Sequence, residues 1–177
     1  MTIYPPLSSL PLFPIKRQVF VSYHHGGDRR WYDAFARHFA DTYDVIEDNS
    51  VERRIDSDDV EYVMRRIREN YVTGSSCTIV LCGAGTPWRK FVDWEIAATL
   101  DKEHGLIGVK LPTLAVVNNG CAKPDRLQDN IDSGYAVWAW WENITGTPAV
   151  LSSLIEQANA KSKMPIVNSR ARRIRNG

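Results

Sequence analysis

Five short runs of β-branched and aromatic residues constrain the fold more than any other feature of this chain. They cover residues 18–23 (QVFVSY), 43–47 (YDVIE), 77–82 (CTIVLC), 106–111 (LIGVKL) and 135–140 (YAVWAW). Runs of this length and make-up suit buried strands. Segments with helical spacing separate most of them, at intervals of roughly 25–30 residues, the pattern of a parallel sheet covered on both faces. The expectation is a flavodoxin-like, three-layer α/β/α sandwich with a five-stranded, mainly parallel sheet and strand one central.

The intervening segments refine this outline. His24-His25-Gly26-Gly27-Asp28 reads as a flexible turn with Asp28 as a helix N-cap, and Trp31, Phe35 and Phe39 space a helix over 31–40. Asp48 to Ser57 is polar and irregular and reads as a loop. Asp58 with Glu61 resembles a capping pair opening a helix to about Tyr71, with Val60, Val63, Met64, Ile67 and Tyr71 facing the core. Gly105 suits the residue just past a helix end, at the close of the helix that follows the third strand. Residues 112–134 show no helical period, and Asn118-Asn119-Gly120 and Pro124-Asp125 mark turns, so a long loop is expected. Pro148 opens a last helix to about Ala160.

At 177 residues the chain fits one domain (17–160) between a Pro-rich arm (1–16) and a basic tail (161–177). Pro5, Pro6, Pro11 and Pro14 exclude a regular helix or central strand from the arm. The tail carries Lys161, Lys163, Arg170, Arg172, Arg173 and Arg175 and no acid, and reads as a solvated segment. A net charge of +1 argues against bulk binding to nucleic acid or membrane surfaces. No run approaches the ~20 apolar residues of a membrane span. Three cysteines without CxxC spacing point to reduced thiols and a cytoplasmic setting, with Cys77 and Cys82 as small hydrophobes in a strand.

The chemistry concentrates in residues 82–100, CGAGTPWRKFVDWEIAATL. A strand runs into a Gly-bearing turn and then a helix whose apolar stripe is Val92, Ile96, Thr99 and Leu100. Glu95 falls at the rim of that stripe, on the side of Trp88 and Phe91, half sheltered near the end of the preceding strand. Ligands of open α/β sheets bind beyond the carboxyl ends of strands. Ser22, Tyr23 and His24 end the first strand at the same sheet edge, and Asp48 follows the second. Thr86 is placed to hydrogen-bond a ligand or cap the turn, and Trp88 and Phe91 to wall a pocket. Trp94 points away from the stripe and suggests an exposed contact surface.

Several occupants of such a fold are excluded by residue. A phosphoacceptor needs paired acids after strand one and an Asp after strand three, where Tyr23-His24-His25 and Cys82-Gly83 stand. The first turn lacks the hydroxyls of a flavin phosphate loop, and neither a Walker A nor a GxGxxG sequence occurs. Cys/His metal spacings are absent, and Ser22 with His24 has no positional support as a hydrolytic pair.

Val19-Phe20-Val21-Ser22-Tyr23 with Asp28 resembles the opening strand of TIR (Toll/interleukin-1 receptor) domains. The third strand, CGAGT and Phe91-Val92-Asp93-Trp94-Glu95-Ile96 are similar to the TIR-like proteins of Thoeris antiphage defence. The resemblance spans about 18–111; Phe91 stands where that family often has Trp, and the two terminal segments have no counterpart. It implies cleavage of the nicotinamide–ribose bond of NAD⁺ as substrate, with no separate cofactor or metal and with Glu95 as the catalytic carboxylate. It further implies a linear or cyclised ADP-ribose signal, self-association on activation and a downstream effector that senses the product. A non-catalytic TIR-like interaction module and a nucleoside deoxyribosyltransferase-like enzyme remain open as alternatives.

Overall fold

The computed structural model describes residues 16–47, 59–161 and 164–177. The expected arm 1–15, the loop 48–57 with Asp48, the cap at Asp58 and the side chain of Tyr71 lie outside the described residues. The strands are β1 (Arg17–Tyr23), β2 (Tyr43–Glu47), β3 (Cys77–Cys82), β4 (Gly105–Lys110) and β5 (Val137–Trp140). The helices are α1 (His25–Phe39), α2 (Val60–Ile67), α3 (Lys90–Asp101), α4 (Asp125–Asp132), α5 (Trp141–Gly146) and α6 (Pro148–Ala160). One five-stranded sheet, order β2-β1-β3-β4-β5, is parallel throughout. The middle strand is β3 rather than β1, which lies between β2 and β3.

Strand alternation divides the core. Val19, Val21, Ile79, Leu81, Ile107 and Val109 face α1, α5 and α6 through Phe35, Phe39, Ile144, Leu151 and Ile155. On the opposite face Phe20 meets Val63, Met64 and Ile67 of α2 and Trp94, Ala97 and Ala98 of α3. Val80, Cys82 and Leu106 meet Val92, Ile96 and Leu100 of α3 and Leu127 of α4. Each fully buried Leu, Ile or Phe in such a layer contributes about 1.5–3 kcal/mol relative to exposure.

Several sequence expectations are corrected. The HHGGD segment is the first turn of α1 rather than a free turn, and its cap residue is His24, not Asp28. The cap of α2 is Asp59, whose carboxylate accepts from the N–H groups of Glu61 and Tyr62 at 3.0 and 3.1 Å. That helix passes into a π-turn at Arg68–Val72. Gly105 starts β4, and Glu103 (φ 55°) takes the left-handed position after α3. The expected loop 112–134 contains α4, which turns Arg126 and Asn130 toward the interior beside Leu127, so its buried face carries no apolar period.

The largest correction concerns the basic tail. Residues 164–177 lie along α3 and α4 instead of in solvent. Asn168 donates to Ala97 O and to Asp101 at 3.1 and 2.8 Å. The Arg170 guanidinium pairs with Asp129, and Arg173 with Asp125 at 3.0 Å. Asn176 Oδ1 accepts from the Lys90 N–H at 3.0 Å, satisfying one of the donors at the start of α3. This strap, together with α2 packed on Trp94, Ala97 and Ala98, accounts for the burial of every residue from Val92 to Leu100. Amphipathicity reads only the sheet-facing stripe of a helix, whereas here the outer side is covered as well.

Candidate active site

In this strand order the chain leaves β1 toward β2 on one side, while β3 continues toward β4 on the other. The crevice beyond the carboxyl ends of β1 and β3 is therefore the expected ligand position. Two glycine-bearing turns meet there. Gly83 approaches Asp28 so closely that a Cβ on it would fall 2.1 Å from the carboxylate oxygen Oδ1. The His24 imidazole fills the space left by Gly26, Gly27 and Gly85, where added Cβ atoms would stand 3.1, 2.8 and 2.9 Å from its ring nitrogens. Only glycine permits this approach of α1 to the turn after β3.

A polar latch closes the approach. Thr86 Oγ1 donates to Asp28 Oδ2 at 2.8 Å and accepts from the Gly83 N–H at 2.9 Å. Asp28 is 2 % exposed, and burial pushes its carboxyl above the ordinary value, opposed by the Thr86 hydrogen bond and the nearby His24 and Arg30. Asp28, read from sequence as a cap, thus ties the ends of β1 and β3 together. Its signal was its place opposite a glycine 55 residues away, which no local pattern reveals.

Glu95 sits deeper than its rim position suggests, at 4 % exposure. The hydrogen bond between Thr99 and Thr78, 2.7 Å, fixes the level of α3 against the sheet. One helical turn back from Thr99, ~5.4 Å, is Glu95; two residues up from the Phe20–Thr78 pair, ~6.6 Å, is the Ser22–Val80 pair. The Thr99 hydroxyl also donates to the backbone carbonyl of Glu95 at 2.8 Å, and the four-residue spacing puts the two positions on neighbouring parts of one helix face. Along the sheet, the backbone of Glu95 thus stands nearer the carboxyl ends of the strands than Thr99, at about the level of the Ser22–Val80 pair. Ser22 is buried, and its Oγ has no hydrogen-bond partner among the described residues.

The remaining candidates divide. Phe91, one turn before Glu95, makes an edge contact with Trp94 at 5.4 Å, and the Lys90 ammonium lies over both rings at 5.0 and 5.6 Å. Trp94 is buried, not exposed, and donates its indole N–H to Arg173 O at 2.8 Å. Tyr23 belongs to the other face of the sheet, stacked between His25 and Tyr32 at 4.3 and 4.8 Å. The Thr86 hydroxyl is engaged in the latch. Trp88 is 42 % exposed and lines cavities shared with residues 113–123, so it stands apart from Glu95. A larger cavity of about 660 Å³ lies at the opposite, amino-terminal end of β1, bordered by Arg17, Gln18, Tyr43 and Ser76. Size alone does not locate the chemistry.

The model of the TIR-like domain of the Thoeris protein ThsB matches residues 20–115, more than half of the chain. The chain belongs to this family. The match begins within β1 at Phe20, contains the latch, α3 and Glu95, and stops before α4. Among solved structures, the TIR domains of the activated Roq1 resistosome directly recognizing the pathogen effector XopQ align over 84 % of each chain, at 12 % identity and a TM-score of 0.39. A comparison with curated proteins gives no match. Among the described residues of this TIR-like domain, no helix is long and apolar enough to cross a membrane.

Proposed function

We propose that this TIR-like domain cleaves the nicotinamide–ribose bond of NAD⁺ and releases an ADP-ribose-type signal, linear or cyclised, in antiphage defence. What supports the reading is a glutamate, Glu95, buried on α3, the helix that follows β3 and its glycine-bearing turn. Breaking an N-glycosidic bond builds oxocarbenium character on the ribose, and a carboxylate held in a sheltered site stabilises it or orients the ribose hydroxyls. Ser22 supplies a hydroxyl on the same sheet face, and His24 borders the crevice mouth. Phe91 offers aromatic surface one turn from Glu95. Water or the adenine of the same molecule then takes the anomeric carbon, giving the linear or the cyclic product. Because Glu95 is nearly inaccessible, the domain acts after a rearrangement, for which self-association on activation is our reading. The product would then be sensed by a separate effector.

The test follows nicotinamide release by chromatography from concentrated protein with NAD⁺, with and without infected-cell lysate. Wild type should release nicotinamide under at least one condition, and Glu95→Gln should lose about 10²-fold or more while keeping its thermal melt. Equal turnover by the two proteins removes Glu95 from the mechanism. The same burial also favours a second reading, a non-catalytic interaction module in which Glu95 is a packing residue. That reading predicts no turnover in any condition and a lower melting temperature for Glu95→Gln.

A further inference from the structure

Trp88 separates two adjoining cavities on the loops that follow β3 and β4. The first, about 490 Å³, is walled by the indole, Leu114, Val117, Gly120 and Cys121, with Thr113 at its edge. That volume is in the range of small-molecule sites, about 300–1,000 Å³. Asn118 and Asn119 take left-handed φ of 50° and 61°; the Val117 N–H donates to Gly120 O at 2.7 Å and the Gly120 N–H to Val117 O at 3.0 Å. The tight turn so formed is a built wall and holds Val117 over the cavity. Thr113 Oγ1 is buried and has no hydrogen-bond partner among the described residues. The second cavity, about 270 Å³, lies on the other side of Trp88 and is lined by Lys123, Asp125, Gln128 and Arg173.

Charge at this second cavity is unbalanced. Arg173 is paired with Asp125. Lys123 lies over the Trp138 ring at 4.7 Å and reaches Cys121 O at 3.5 Å, with no carboxylate partner among the described residues. The molecule thus offers a half-exposed indole with Gly177 packed along its Cβ–Cγ–Cδ1 edge, an apolar chamber with one unpaired hydroxyl, and a cation lining the neighbouring cavity.

We propose that the two cavities form one ligand site, separate from the Glu95 crevice, for a purine mononucleotide: the base against Trp88 in the apolar chamber and the phosphate at Lys123. A flat ring matches the exposed indole, a ring nitrogen or amino group matches Thr113 Oγ1, and the anion matches Lys123. An aliphatic acid would satisfy the cation and leave the hydroxyl unpaired. The site does not depend on the NAD⁺ reading.

Cys121 supplies a local readout. Cys77 and Cys82 are fully buried, and burial pushes the Cys77 thiol up to about 12 and Cys82 higher still, so Cys121 is the thiol open to alkylation. The rate of iodoacetamide labelling at Cys121 is followed by mass spectrometry on the full chain, with AMP, inorganic phosphate, adenosine or decanoate as probes. The expected result is at least a five-fold slowing by saturating AMP, in wild type and in Glu95→Gln alike. Adenosine and phosphate should protect less, and Lys123→Ala and Trp88→Ala should abolish protection, each compared with its own unliganded rate. Unchanged labelling at 10 mM AMP, protection that survives Lys123→Ala, or equal protection by decanoate overturns the proposal. So does slowing by raised protein concentration alone, which would make the cavity a surface for a second copy. Absence of NAD⁺ turnover bears on Glu95 and leaves this experiment untouched.

Discussion

Asp28 shows how a single carboxylate can carry both architecture and pH sensitivity. Burial raises its pKa from the unfolded reference of 3.8. The stability that a raised carboxyl contributes is fully present below about pH 3.8 and is lost as pH rises through the higher folded value. Asp28→Asn keeps an oxygen for the Thr86 hydroxyl and cannot ionise. The urea midpoint of this variant should therefore gain on wild type as pH goes from 4 toward 7, and a difference independent of pH would contradict the burial argument. Glu95 was legible as a residue to watch because a strand, a glycine-bearing turn and a helix in succession are local patterns. Its depth was not, because exposure depends on what packs from outside, and Trp94 was misplaced for the same reason.

At the scale of the elements, α3 and α4 are joined by a buried ion pair. Arg126 Nε donates to Asp93 Oδ1 at 2.9 Å and Nη2 to Oδ2 at 3.3 Å, with side-chain exposures of 1 % and 5 %. The same guanidinium donates to the Asn168 side chain at 2.8 Å and to Arg170 O at 2.9 Å. Removing one partner strands a buried charge, so Arg126→Met or Asp93→Leu alone should cost about 3–5 kcal/mol. The double variant should cost less than the two singles together, a coupling that urea unfolding of the four proteins would measure. A sum equal to the double would mean the two charges are compensated elsewhere. This pair also explains why α4 escaped the sequence reading. In DRLQDNID the inward positions are shared between Leu127 and Ile131 and the polar Arg126 and Asn130, so the apolar stripe is one pair long and gives no period to count. The five strands, by contrast, were legible almost to the residue, since parallel strands buried on both faces must be apolar along their length.

For the whole molecule, the parallel sheet follows from alternating strands and helices, but neither its middle strand nor its outer layer does. Whether Asn168, Arg170 and Arg173 dissolve or dock depends on where the carbonyl of Ala97, Asp129, Asp125 and Asp93 stand in space, and those places exist only once α3 and α4 have packed. Deleting residues 164–177 leaves the Trp94 indole N–H, the Lys90 N–H and several Arg126 donors without their partners. Water can take these places once the strap is gone, so each lost bond counts at its net value of about 0.5–1.5 kcal/mol; the shortened chain should lose about 3 kcal/mol or more by urea unfolding, with α3 amides exchanging faster. Protection of α3 equal to the full chain would show the strap to be dispensable.

The strap also bears on how the domain is made. Synthesis delivers α3 many residues before the segment that covers it, and chains tend to fold from the amino-terminal end as they emerge. Trp94 and Asp93 therefore wait, uncovered, until residues 164–177 have left the ribosome. A nascent chain halted after α6 would hold all five strands and still expose the outer side of its central helix. The helix bearing Glu95 is thus finished last, by a segment about seventy residues downstream.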